Sequence, residues 1–222
     1  MTIHTASRAA ILARLQSAPS AAVPERIDLP PAAPASPSEL LDRFGQAAAR
    51  IQAVYRRCAT PDVARQAVAA VVAERGIRTA ARWDHPLLAE LGLDEVLAAA
   101  GVQVHSPADV AGCPALAAVD LGLTAAEAGV AESGSLVVAA APDMPRAFSL
   151  LPPVHLALVR AGQVVAGMAD IPAVLAGLTR ADGRLPSAVH VISGPSCTAD
   201  IELIKVYGVH GPTTLVILGL DW

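Results

Sequence analysis

Beyond Gly76 the sequence carries short, nearly unbroken apolar runs: Val102–His105, Leu136–Ala140, Val154–Val159, Val189–Ile192 and Thr214–Leu218. A strand with one wet face alternates apolar and polar residues, whereas a run that is apolar throughout belongs to a strand covered on both faces. Ile77–Ala81 and Leu116–Thr124 read as further strands. Helical stretches separate them, among them His85–Ala100, interrupted around Gly92, and Ile171–Leu178. Strands alternating with helices build an open, mainly parallel sheet with helices on both faces. The expectation is a three-layer α/β/α fold.

The first third reads differently. Residues 1–17 form a helical segment, with Ile11, Leu12 and Leu15 on one face. Residues 18–37 hold Pro19, Pro24, Pro30, Pro31, Pro34 and Pro37, each removing a backbone donor, and read as an extended linker. Residues 38–222 then form a single α/β domain. It opens with a helix over Ser38–Arg57, capped by Ser38, and a second over Asp62–Arg75, ended by Gly76.

Composition removes several function classes. With 222 residues, 54% of them hydrophobic, the chain can bury a large core. Sixteen basic against 20 acidic residues leave a net charge of −4, which argues against a nucleic-acid groove. Mean hydropathy is +0.49. Even so, the longest charge-free stretches, Leu185–Ala199 and Val206–Leu220, fall short of the ~18 residues a membrane span needs, and they contain His, Gly and Pro. Arg8 and Arg14 interrupt the apolar residues a secretory signal would need. Cys58, Cys113 and Cys197 show no Cys-x-x-Cys spacing, so neither a disulfide framework nor a metal or cluster site is expected in this chain. The expectation is a cytoplasmic protein with no intrinsic cofactor.

Three segments differ from ordinary loops. In Gly129-Val130-Ala131-Glu132-Ser133-Gly134-Ser135, a carboxylate among glycines suits a general base or a nucleophile, or else a tight turn with a solvated Glu. In the stretch from Arg146 to His155, Arg146 suits bidentate anion binding and His155 proton donation, against the plainer roles of surface arginine and structural histidine. The third is Ile192-Ser193-Gly194-Pro195-Ser196-Cys197-Thr198-Ala199-Asp200-Ile201-Glu202. There a strand is expected to run into a helix capped at Ser196 or Thr198, aiming N–H groups at an anion from the carboxyl edge of the sheet. Capping alone is the plainer reading. Cys197 is a lone thiol, and His210 in the following turn is a further proton donor.

Together, Gly129–Val138, Ser149–Pro152, Ile192–Glu202 and Gly208–Pro212 resemble the LUD-domain family, and within it the lactate utilization protein C branch. Ser7–Leu15 is similar to that branch as well. The resemblance implies a fold like that of the sugar-phosphate isomerase and CoA-transferase superfamily. It also implies a part in oxidising L-lactate to pyruvate beside two iron–sulfur partner proteins, which would carry the clusters. Onto this frame the residue reading sets Glu132, His155, Asp200 and His210 as catalytic candidates. Arg146, Ser193, Gly194, Ser196 and Thr198 would bind a small carboxylate or other anion, in one cleft between 129–135 and 193–202. Two other classes stay open: a non-catalytic anion-binding or assembly subunit, and a CoA-transferase- or isomerase-like enzyme whose glutamate nucleophile Glu132 faintly echoes.

Overall fold

The computed structural model describes residues 3–17, 35–110, 116, 118–179, 183–198 and 206–222. The chain divides into two units, Met1–Pro31 and Ala32–Trp222. In the first, helix α1 spans Ile3–Ser17, and Ile11, Leu12 and Leu15 are exposed on it. Most of the expected linker, 18–34, lies outside the described residues.

The second unit opens with α2, Pro37–Arg50. It starts one residue inside the expected linker because Ser36, not Ser38, is the cap. The Ser36 hydroxyl accepts from Glu39 N–H while the Glu39 carboxylate accepts from Ser36 N–H, and Pro37 occupies the first turn, where no donor is needed. The helix also ends sooner than expected. Val54–Cys58 is strand β1, not helix, because its backbone pairs in parallel with Val216–Leu220. Helix α3, Pro61–Arg75, has the expected end: Gly76 takes φ 62°, a conformation costly for any residue with a Cβ.

The strands are β2 (Thr79–Arg82), β3 (Gln103–His105), β4 (Leu121–Ala125), β5 (Ala128–Val130), β6 (Ser135–Ala139), β7 (Val154–Arg160), β8 (Val164–Val165), β9 (Val189–Ile192), β10 (Cys197–Thr198), β11 (Val206–Tyr207) and β12 (Thr214–Leu220). Among the described residues, helices α4 (Pro86–Glu90), α5 (Leu93–Ala99) and α6 (Ile171–Gly177) accompany them, with 3-10 turns at Arg146–Ser149, Ala161–Gln163 and Met168–Asp170. Six strands, in the order β1-β12-β7-β4-β2-β3, form an all-parallel sheet.

Period-two alternation assigns the faces of this sheet. Val154, Leu156 and Leu158 of β7, with Val216, Leu218 and Leu220 of β12, pack with Val68, Val71 and Val72 of α3, Leu87 and Leu88 of α4, and Leu93 and Leu97 of α5. Ala157, Val159, Leu215 and Ile217 face the other way, toward Leu41, Phe44 and Ala48 of α2. A helix therefore lies on each face, but α2 shares its side with a second sheet that the strand pattern did not separate from the first. That sheet runs β8-β5-β6-β9, with β6 antiparallel to both neighbours, and its Leu136 and Val138 join the α2-side core.

Candidate functional site

A cavity of about 530 Å³ opens where β7 and β12 begin, at the amino edge of the parallel sheet. The carboxyl-edge expectation fails because β9 is not a strand of that sheet. It pairs antiparallel with β6, and its end delivers Ser193–Thr198 to the opposite edge.

The floor is built from β7 and its neighbours. His155 is the second residue of β7, flanked in register by Gly122 of β4 and Leu215 of β12. Gly122 has no side chain for a packing reason: a methyl there would overlap the Phe148 carbonyl oxygen, so the Arg146–Ser149 turn seats directly on β4. That seating buries Ser149, whose hydroxyl donates to Arg146 O at 2.9 Å. His155 is itself buried, with Nε2 2.8 Å from the Thr124 hydroxyl. Burial lowers its pKa to about 4, so the ring is neutral at pH 7 and serves as a hydrogen-bonding group.

The rim is a set of crossed turns. Ser196 N–H donates to Pro212 O at 2.9 Å, Gly208 N–H donates to Ser196 O at 3.0 Å, and His210 N–H donates to the Ser196 hydroxyl at 3.3 Å. Gly194 adopts φ +91°, and a methyl on it would strike the Ile51 carbonyl oxygen. One residue on, Gln52 also has positive φ, and its side-chain oxygen accepts from the Tyr207 hydroxyl. The α2–β1 turn thus touches both rim segments. The back wall is β9. His190 stands opposite Val138 and Ile192 opposite Leu136, so both side chains share the core-facing side of the small sheet.

Of the nine predicted residues, His155, Ser193, Gly194, Ser196, Thr198 and His210 line this cavity. Asp200 lies outside the described residues. Arg146 is exposed on the turn beneath the cavity and does not line it. A helix capped at Ser196 does not start there, and one capped at Thr198 would lie outside the described residues. Cys197–Thr198 instead pairs with Val206–Tyr207 as the antiparallel ribbon β10–β11, since a Ser or Thr hydroxyl serves a turn as readily as a cap. The two glycine-bearing loops do meet, through hydroxyls: Ser133 donates to Ser135 at 2.8 Å, and Ser135 and Ser193 lie 2.7 Å apart. Glu132 turns the other way. Its carboxylate accepts from Met168 N–H at 3.1 Å, on the β8 side of the small sheet.

Sequence reasoning passed over His190. Its signal was a polar residue at an inward position of an otherwise apolar strand, Val189-His190-Val191-Ile192. The described lining includes no Arg, Lys, Asp or Glu, so an anion entering here meets hydroxyls, N–H groups and imidazoles. Among the described residues no group of three His, Cys, Asp or Glu is placed to hold a metal ion, and no helix is long and apolar enough to cross a membrane.

The carboxyl edge of the parallel sheet is built from opposite materials. Arg82, at the end of β2, bonds Asp94 through two nitrogens, at 2.8 and 2.9 Å, and also pairs with Asp84. Arg57 of β1 bonds Asp221, Asp42 and Ser38, and Arg160, ending β7, reaches Glu90 at 2.5 Å. A second cavity of about 390 Å³ lies there, among Arg82, Asp84, His85 and Asp94.

Residues 41–218 match the family model described as LUD domain. A protein named Lactate utilization protein C from Halalkalibacterium halodurans is 35% identical over 149 residues, covering 66% of this chain and 64% of that protein. One of the same name from Shouchella clausii is 33% identical over 147 residues, with the same shares. An uncharacterized Escherichia coli K12 protein, YkgG, is 43% identical over 101 residues, covering 46% of this chain and 44% of YkgG. The chain thus spans less than two thirds of the length of each of these relatives. Among solved structures, a DUF162 family protein from Deinococcus radiodurans superposes with a TM-score of 0.61 at 21% identity, over 85% of this chain and all of that one.

Proposed function

Since the chain belongs to the LUD-domain family, we propose that it is a component of an L-lactate utilization system and binds a short carboxylate in the amino-edge cavity. The observation that carries this reading is that every described residue lining the cavity falls inside the matched 41–218 segment, in a chain similar to proteins named for lactate utilization. The lining suits the substrate class. Hydroxyls of Ser193, Ser196 and Thr198 and neighbouring N–H groups give a carboxylate hydrogen bonds without a fixed cation, and a neutral His155 adds no charge.

In this proposal the chain works with two iron–sulfur partner proteins. Oxidising L-lactate to pyruvate removes two electrons and two protons. The chain's three scattered cysteines supply no cluster motif, so the electrons pass to clusters on the partners. His210 at the rim then accepts and passes on the protons, while the neutral His155 orients the acid from the floor by hydrogen bonding. The cavity is larger than a three-carbon acid requires, which leaves space for a partner's reactive group at its mouth.

The test is genetic and biochemical. A strain lacking this chain should lose growth on L-lactate and regain it with the wild-type gene. Purified chain alone should not oxidise L-lactate, while the co-expressed three-protein complex should. Normal growth of the deletion strain on L-lactate, with no duplicate gene present, would overturn the proposal.

A further inference from the structure

His190 carries a buried nitrogen, Nε2, that none of the described residues bonds. A buried polar atom left unsatisfied is destabilising, and folded proteins usually give such atoms a partner. The residue lines the cavity, and its register opposite Val138 puts the ring on the core-facing side of the small sheet. On the facing β7 strand, His155 occupies the same interlayer space, on the side of Ala157 and Val159. The two rings are placed differently. His155 Nε2 already has the Thr124 hydroxyl, whereas His190 Nε2 has no partner among the described residues.

We propose that His190 is the specificity-determining residue of this cavity, its Nε2 bonding the 2-oxygen of a short 2-hydroxy or 2-oxo carboxylate. This deepens the lactate reading and rests on it. An imidazole nitrogen either donates to or accepts from a hydroxyl, so it recognises an oxygen at C2 without requiring a charge there. The carboxylate lies against Ser193, Gly194 and Ser196, which follow His190 on the same strand and turn. A ligand lacking the 2-oxygen leaves the ring unsatisfied and loses this contact.

The experiment removes the contact from each side. Binding of L-lactate and of propionate, which differ by the 2-hydroxyl, is titrated into the wild-type chain and into His190→Phe by calorimetry or NMR. Wild type should favour L-lactate by about tenfold or more. In His190→Phe the preference should shrink to within about twofold, with propionate affinity retained. The melting temperature should be no lower than wild type, because an unsatisfied polar atom has been removed. Equal weakening of both ligands with a lowered melting temperature would make His190 a structural residue and overturn the inference. So would a wild type with no preference, or one that binds neither acid at tens of millimolar. Wild-type rescue of lactate growth beside any of those results would sink the His190 assignment and leave the lactate role standing.

Discussion

The two edges of the parallel sheet differ in how they treat charge. At the carboxyl edge Arg82 and Arg160 end strands and Arg57 stands one residue from the end of β1, and each is matched to carboxylates, so the charge is spent within the protein. At the amino edge the cavity is lined by serines, glycines and imidazoles, and its deepest titratable group, His155, is neutral at pH 7. Paired charges tie strand ends to helices, while neutral hydrogen-bonding groups leave capacity for something that arrives. In an open α/β sheet the carboxyl edge is the usual ligand side. Here a second sheet carries the candidate binding turn across to the other edge.

The sharpest way to break this comparison is to lift the turn that seats the amino edge. Gly122→Ala should cost about 3 kcal/mol or more, since backbone meets backbone there, and should abolish carboxylate binding along with stability. Thermal denaturation and a ligand titration check it. A variant of normal stability would mean the Phe148 turn is not held against β4.

Acid should act nearly as strongly, through His155. Its folded pKa of about 4 lies below the unfolded value near 6.5. The unfolded chain therefore binds more protons between these values, and stability present above pH 6.5 is lost as pH falls toward 4, up to about 3 kcal/mol. Denaturant unfolding at pH 7 and at pH 4.5 measures it, and His155→Gln should flatten that difference.

The carboxyl edge should respond more mildly. Arg82→Met removes a bidentate pair that is partly exposed, and about 1 kcal/mol is expected, shrinking in high salt, with lactate growth unchanged. Loss of growth without loss of stability would give that edge a ligand of its own. Smallest of all should be Glu132→Gln. The Gln side-chain oxygen still accepts from Met168 N–H, so less than about 0.5 kcal/mol and normal growth on L-lactate are expected. A hundredfold loss of activity would return Glu132 to the catalytic centre.

Much of the parallel sheet was legible because strands such as β7 and β12 are buried on both faces and carry no polar interruption except His155. Helix α3 was legible because Pro61 and Gly76 sit at its ends. Val54–Cys58 was not, since Arg56 and Arg57 suit a helix equally well and only the distant Val216–Leu220 makes the segment a strand. The second sheet stayed hidden for a similar reason: β5 and β8 are only three and two residues long. In the site, motif residues such as Ser193 and His210 could be picked out in sequence, but their shared cavity depends on β9 leaving the main sheet. Register alone tells whether a histidine on β9 faces solvent or core, so His190 drew no notice.

The α2–β1 turn gives the cavity an unusual dependence. Gly194 can hold its position only because nothing projects from it toward Ile51, and Tyr207 is tethered to Gln52. The aperture between the two rim segments is therefore gauged by a pair of residues more than a hundred positions earlier in the chain. Drift at 51 or 52 must be answered at 194 or 207, and the two pairs should vary together rather than singly. Through Gln52 and Tyr207, neither of which lines the cavity, the rim can be reshaped while the residues of the lining stay the same.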